Sequence, residues 1–539
     1  MLIPVPKTNP GLAKSILEVE VKRMKMAALA LGVLLGGVTY LGGTGNIVVD
    51  ASASAHGADA TSCANLTNLK LPNTTITSAQ VVPAGQFKAP TNAKQDFSNL
   101  PAFCRVAMTI KPSSDSDIKS EIWLPASGWN GKFEEVGNGG WNGFIQYAAL
   151  AGALRQGYAA ASTDTGHVGD TASFAVGHPE KLIDFGYRAV HETAMQGKAT
   201  ITALYGEAPL FSYFTGCSGG GREAFMEAQR YPADFEGTVA GDPGFDRTAE
   251  SLQLIAAAQD THKDAASFIP KEKFVVLHQA ALDACDALDG IKDGIISNPT
   301  RCKFDPGATL CKGADEPGCL TAAQVEAARK LYAPIIDPDT GKEIFPGFEP
   351  GTELRFANIA GAPRPLGMAD ETFQYIVFQN PHWDFRTLDI GPDIARARKM
   401  DNGVVSATST NLKPYAGRGG KLIIYHGWAD QNIAPLVSVN YYEALIKTMG
   451  EKMVQDSVRL YMVPGMGHCG GGEGPNVFDT LSALEQWKEH GVAPQEIIAS
   501  QIVNGNVIRT RPLCPYPQEA VYKGSGSTDE AQNFVCKLP

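Results

Sequence analysis

Three residues, each on its own glycine-marked turn, carry the chemistry this chain can do. Gly216-Cys217-Ser218-Gly219-Gly220 fits the pattern G-x-S-x-G, with a strand-like run (Phe211 to Phe214) before it and a helical pattern (Glu223 to Arg230) after it. Small residues let the chain turn sharply there. A serine hydroxyl then stands clear of the sheet, and the N–H groups at the helix start face an incoming oxyanion. Downstream, a strand ending at Tyr425 runs into His426-Gly427-Trp428-Ala429-Asp430, and the next into Pro464-Gly465-Met466-Gly467-His468-Cys469. Ser218, Asp430 and His468 follow one another in the order nucleophile, acid, base that such a sheet requires. In that reading His468 takes the Ser218 proton and Asp430 orients the imidazole. His426 is a rival base, but it precedes the acid. The oxyanion donors would be the N–H of Gly219 and one from the early loop Gly137-Asn138-Gly139-Gly140, with Gly140 or Gly139 as candidates. Singly, each residue has a bland reading as a tight turn, a capping aspartate or a solvated loop histidine. Three in the right order, each after its own strand, favour nucleophilic catalysis.

The elements that must position these turns alternate. Phe133-Glu134-Glu135-Val136, Ala159 to Ser162, Phe211 to Phe214, Gly237 to Ala240, Lys421 to Tyr425 and Val458 to Met462 read as strands, with helical patterns such as Tyr187 to Tyr205 between them. That rhythm predicts an α/β fold with a parallel sheet. It lapses from about Arg247 to Tyr415, a Pro-rich segment holding four cysteines, which reads as an insertion. The expected organisation is an export segment over 1–55, a core over 56–246, an insertion over 247–415 and the rest of the core over 416–539.

Charge and cysteines narrow the setting. The chain has 539 residues, with 57 acidic and 46 basic side chains and a formal charge of −11. That balance argues against nucleic acid as a partner, since phosphate binding draws on surplus Lys and Arg. Lys22, Arg23 and Lys25 precede an apolar run from about Ala27 to Leu41, and Ala53-Ser54-Ala55 offers a small-x-small cleavage pattern. This reads as a secretory signal, with Met24 or Met26 as an alternative start. The run is short for a span, which takes ~20 apolar residues, although an uncleaved anchor remains the other reading. The expectation is a secreted or periplasmic protein from about His56, with no stable membrane span once the signal is removed. Ten cysteines suit that oxidising setting. Cys217 directly precedes Ser218 and Cys469 directly follows His468. If the serine and histidine meet, a disulfide between these neighbours would staple the two loops. Asn65-Leu66-Thr67 and Asn73-Thr74-Thr75 fit glycosylation acceptors.

One further cluster lies in the insertion. Asp286, Asp289 and Asp293 fall within eight positions, with Gly290 and Gly294 between and after them. Convergent oxygens suit a hard cation and favour Ca²⁺ over Zn²⁺. A solvated acidic turn is the equally simple alternative.

These motifs resemble the tannase and feruloyl esterase family of α/β-hydrolases, which also includes mono(2-hydroxyethyl) terephthalate hydrolase. The resemblance rests on Gly-Cys-Ser-Gly-Gly-Gly-Arg at 216–222, Tyr-His-Gly-Trp-Ala-Asp at 425–430, Pro-Gly-Met-Gly-His-Cys at 464–469 and Arg-Pro-Leu-Cys-Pro-Tyr-Pro at 511–517, and covers nearly all of the mature chain. It implies an α/β-hydrolase fold with residues 247–415 as a lid, and a serine carboxylic ester hydrolase that works through an acyl-enzyme. It implies a disulfide at Cys217–Cys469, and pairings Cys63–Cys104, Cys285–Cys302, Cys311–Cys319 and Cys514–Cys536. It also implies a structural Ca²⁺ held by the carboxylates of Asp286, Asp289 and Asp293 and the carbonyls of Ile291 and Ile295. Gly219 stands where the terephthalate-monoester hydrolase has a glutamate, and that enzyme's lid arginine has no clear match. Small esters of aromatic acids of the feruloyl or gallate type are therefore the favoured substrates, with a terephthalate monoester as the alternative. Phe373, Phe378, Trp383 and Phe385 are candidates for an aromatic wall, or simply for lid core. A peptidase or acyltransferase on the same fold, and a catalytically silent phenolic-ligand-binding protein, are the competing readings.

Overall fold

The strands read around the three turns carry apolar side chains on both faces, as parallel strands do when helices cover both sides. The structure, a computed structural model, describes residues 59–90, 95–360 and 364–539. The export segment read in residues 1–55 lies outside them.

The chain first lays down β1 (Thr74–Val82), β2 (Phe103–Ile110), β3 (Ile118–Pro125), β4 (Lys132–Val136), β5 (Ala159–Thr163), β6 (Phe211–Cys217) and β7 (Gly237–Gly241). A small separate ribbon of β8 (Ile335–Ile336) and β9 (Glu343–Phe345) follows, before β10 (Lys421–Gly427) and β11 (Val458–Val463) return to the main sheet. That sheet runs β1-β2-β3-β5-β4-β6-β7-β10-β11. Its pairs are antiparallel as far as β5 and parallel from there to β11. Successive side chains on a strand point to opposite faces. Phe214, Ala240, Leu422, Ile424 and Leu460 accordingly pack into one apolar core, while Tyr213, Val239, Ile423 and Tyr461 pack into another on the far side. Both faces are dry, so the register of each strand is pinned and every strand end sits at a defined height.

The three predicted turns lie at the carboxyl ends of β6, β10 and β11, with the early glycine loop at that of β4. Parallel strands bring these ends to one edge of the sheet, which is where open α/β sheets hold ligands. Residues 247–415 add no strand to the main sheet. They supply helices such as Arg247–Thr261, Lys273–Cys285, Ala322–Tyr332 and Ile390–Asp401. Their apolar side chains, among them Leu252, Ile255, Phe274, Phe356 and Phe373, belong to the same core as one face of the sheet. The described residues contain no helix long and apolar enough to cross a membrane.

All five cysteine pairings expected above are present: Cys63–Cys104, Cys217–Cys469, Cys285–Cys302, Cys311–Cys319 and Cys514–Cys536. The nucleophile helix begins earlier than its polar pattern indicates, at Gly219 and not Glu223, because three glycines carry no helical signature of their own.

Candidate active site

Ser218 stands between β6 and the helix Gly219–Arg230 with φ +62° and ψ −118°, a conformation that L-residues rarely adopt. Its neighbours explain how the chain tolerates this. A β-carbon at Gly216 would lie 2.5 Å from the Gly220 carbonyl carbon, and one at Gly220 would lie 2.8 Å from the Asn138 oxygen. Only glycine lets the strand, the helix start and the β4 loop approach so closely.

His468 reaches the serine from the loop after β11, with Nε2 2.8 Å from Ser218 Oγ. Its Nδ1 lies 2.8 Å from Asp430 Oδ2, so it carries the proton and donates to that carboxylate. The other oxygen of Asp430 accepts from the N–H groups of Asn432 at 2.7 Å and Ile433 at 3.0 Å. Asp430 is fully buried, which raises its carboxyl, but the charges and hydrogen bonds of the His468 and His426 imidazoles outweigh that and hold it well below the usual range. Burial alone would lower the His468 value. The charge and hydrogen bond of Asp430, helped by Asp242 and Glu250, override it and push the imidazole up to about 9. The three residues form one hydrogen-bonded line from serine to acid, the arrangement that lets an imidazole accept a hydroxyl proton.

The Cys217–Cys469 disulfide joins the residue before the serine to the residue after the histidine, closing a separation of 252 residues. A residue that the spacing did not flag reinforces this staple. Asp242, at the end of β7 with φ +36°, is fully buried. Its Oδ1 accepts from Gly427 N–H at 2.8 Å and its Oδ2 from Cys469 N–H at 3.0 Å, so one carboxylate ties the loops after β7, β10 and β11. Burial raises its carboxyl to about 6 against the pull of the neighbouring histidines.

The early loop lies against the turn that carries Ser218. A β-carbon at Gly219 would lie 3.1 Å from the Gly140 nitrogen and 3.2 Å from the Gly139 α-carbon. Among the described residues, the N–H groups of Gly219, Gly139 and Gly140 have no hydrogen-bond acceptor, which leaves them free for an oxyanion. Two buried side chains brace this loop. Glu223 accepts from Asn138 N–H at 2.8 Å, and Arg247 donates to the Gly140 carbonyl at 2.6 Å while its guanidinium lies 4.7 Å from the Trp141 ring centre. Neither was legible in the sequence, because an interior Glu or Arg in a helix ordinarily signals a solvated face.

Beside Ser218 opens a cleft of about 510 Å³. Asn138, Asn142, Gln146 and Asn432 supply its polar lining, and Leu366 and Met368 of the insertion supply an apolar one. Phe373, Phe378, Trp383 and Phe385 are not part of that lining. Phe373 and Phe378 stack on Trp383 at 5.4 and 5.1 Å between ring centres, so these aromatics pack into the core and do not wall the cleft. His426 does not touch the serine. It is fully buried behind Asp430.

The acidic loop of the insertion curls on itself. Asp286 accepts from the N–H groups of Asp293 at 3.2 Å and Gly294 at 3.0 Å, and Asp289 from Ile291 N–H at 2.9 Å and Ser297 Oγ at 2.6 Å. Asp293 pairs with Arg511 at 2.8 Å. The buried Asp286 has no cationic side chain within ion-pair distance among the described residues, and an all-oxygen donor set of that charge suits a hard cation. The three carboxylates do not gather within 4.8 Å of one another. The loop has the donor chemistry for Ca²⁺, and its carboxylate oxygens accept from backbone N–H groups, the Ser297 hydroxyl and Arg511.

Comparison with known proteins extends this picture. The family model "Tannase and feruloyl esterase" matches residues 104–537. An uncharacterised esterase of Xanthomonas campestris pv. campestris is 39% identical, over 92% of this chain and 93% of its own length. A probable feruloyl esterase B-2 of Aspergillus terreus is 33% identical, over 87% of this chain and 93% of its own. The crystal structure of feruloyl esterase B from Aspergillus oryzae superposes with a TM-score of 0.83 at 31% identity, covering 89% of this chain and all of that one. With its mixed sheet and its covering helices, the chain has the α/β-hydrolase fold; it belongs to the tannase and feruloyl esterase family and is a carboxylic ester hydrolase.

Proposed function

We propose that the protein cleaves esters of aromatic acids of the feruloyl or gallate type through a Ser218 acyl-enzyme. The observation that carries this reading is the hydrogen-bonded line Ser218–His468–Asp430 at the lip of a cleft whose polar lining is made of uncharged amides. His468 removes the Ser218 proton as Oγ attacks the ester carbonyl, and Asp430 stabilises the resulting imidazolium. The N–H groups of Gly219 and of Gly140 or Gly139 receive the oxyanion. The imidazolium then protonates the departing alcohol, and water, activated by the same histidine, releases the acid. Carboxamides such as Asn142, Gln146 and Asn432 can bond a phenolic hydroxyl. They offer no charge to the free carboxylate of a terephthalate monoester, which favours the first substrate class over the second.

Residues 247–415 act in this reading as the lid that closes the acyl pocket through Leu366 and Met368. Asp286, Asp289 and Asp293, with the carbonyls of Ile291 and Ile295, hold a structural Ca²⁺ that braces the insertion and supplies no catalytic chemistry. Export to the periplasm or medium accords with the five disulfides.

The test is hydrolysis of a panel of methyl ferulate, methyl gallate, mono(2-hydroxyethyl) terephthalate and a short aliphatic p-nitrophenyl ester, with Ser218→Ala as control. Preference for the first two, abolished in the control, supports the proposal. Turnover of none by folded protein would leave a silent binder, and preference for the third would overturn the substrate class.

A further inference from the structure

Asp430 faces two histidines, and the catalytic one is only half of the arrangement. On its buried side, His426 Nε2 lies 3.2 Å from the same Oδ2 that receives His468. His426 Nε2 also lies 3.2 Å from the Ile433 carbonyl and 3.8 Å from Asp242 Oδ1. All three neighbours are acceptors, so Nε2 carries a proton. Its other nitrogen, Nδ1, lies 2.7 Å from Ser438 Oγ, and in the neutral imidazole it accepts from that hydroxyl. His426, Asp430, Asp242 and Ser438 are all fully buried, so no water substitutes for these bonds.

We infer that His426 is a positioning residue for the triad acid, and that its Nε2–H, locked in place by Ser438, sets the proton affinity of His468. The inference rests on the serine-esterase reading. A donor on Oδ2 draws electron density away from the His468 bond and keeps Asp430 ionised and fixed. The carboxylate then stabilises the imidazolium less than it would alone, and His468 gives up its proton at a lower pH. The charged and titratable groups facing this centre are Asp242 from the loop after β7, Glu250 from the helix Arg247–Thr261, Asp430, and the two histidines. Arg247, paired with Glu250 at 3.4 Å, is the nearest cation on that helix. Three carboxylates around two imidazoles would overstabilise a charged His468. The proton on His426 offsets this.

The experiment is the pH dependence of kcat/KM for methyl ferulate hydrolysis by wild type, His426→Leu, His426→Gln and Ser438→Ala, beside Ser218→Ala. His426→Leu removes the donor. Its acid limb should move up by about one pH unit, with kcat reduced and KM little changed. His426→Gln keeps an N–H near Nε2 and should return the limb toward wild type, which a merely space-filling role would not do. Ser438→Ala frees the tautomer and should shift the limb in the same direction as Leu, and it decides the matter if His426→Leu does not fold. An unmoved limb in the folded variants overturns the inference alone. Retained turnover in Ser218→Ala overturns the serine reading beneath it.

Discussion

His468 Nε2 meets Ser218 Oγ at 2.8 Å although 250 residues of chain separate them, and the disulfide between their neighbours, Cys217 and Cys469, holds the two loops in that register. The proposed nucleophile and base are thus joined covalently one residue away from the hydrogen bond through which the proposed proton transfer runs.

Removing either end of that line should be severe. Ser218→Ala and Asp430→Asn are each expected to lower kcat by about 10⁴-fold or more, with KM for methyl ferulate changed little. The wild-type acid limb should lie above the ordinary histidine value of 6.5, because Asp430, Asp242 and Glu250 hold a proton on His468 and only the neutral imidazole is a base. Activity therefore rises with pH through that raised value. Steady-state kinetics across pH checks both points, and a limb at or below 6.5 would contradict the charge arrangement.

The staple should matter more to alignment than to folding. Cys217→Ala with Cys469→Ala is expected to fold, with a lower melting temperature, and to lose roughly 10²-fold in kcat/KM, since small misplacements of reacting groups cost that much. Asp242 still holds the loop after β11 to the ends of β7 and β10, through the backbone N–H groups of Gly427 and of position 469. Circular dichroism melts alongside kinetics separate the two effects. Activity equal to wild type would show that Asp242 suffices.

Stability should fall on the alkaline side for a reason unrelated to catalysis. Glu135 and Glu227 are fully buried, their oxygens lack hydrogen-bond partners among the described residues, and burial together with neighbouring carboxylates raises both well above 4.5. In the folded state they keep their protons, whereas in the unfolded state they ionise near 4.5. The stability they contribute is present below that value and is lost as pH rises from it toward the raised folded value. Glu227→Gln should therefore raise the melting temperature at pH 8 and leave it nearly unchanged at pH 4. Equal melting temperatures of variant and wild type at pH 8 would argue against a protonated Glu227.

If the acidic loop of the insertion holds Ca²⁺, dialysis against chelator should lower the melting temperature and added Ca²⁺ should restore it in a concentration-dependent way. Asp286→Asn should abolish that response while leaving kcat at low temperature within about twofold. Calcium titration by calorimetry on both proteins provides the check. A melting temperature indifferent to Ca²⁺ in the wild type would return the loop to the status of an acidic turn.

Much of the site was legible along the chain because its parts are local. A sharp turn needs Gly216 and Gly220 around a serine, and a loop after a buried strand shows as an apolar run meeting glycine, as at Tyr425 and Met462. The succession of strands along the chain and the nucleophile–acid–base order follow from such runs, while their order in the sheet, with β5 placed before β4, came only from the structure. The cysteines beside Ser218 and His468 made a disulfide conceivable if those two residues met, and the family resemblance implied it; the structure contains it. The tertiary structure alone decided what depends on distance across the sheet. Parallel pairing of β6, β7, β10 and β11 brings Asp242, Gly427 and Cys469 to one edge, so an aspartate that reads as an ordinary turn residue becomes the tie of three loops. It sends Arg247 and Glu223, which as sequence look solvated, into the interior to brace the loop 137–140. It sends the insertion's aromatics into a core and gives the cleft amides. It also puts His426, the rival base by sequence, behind Asp430, where a few ångströms of depth separate a residue that reaches the serine from one that steadies its acid.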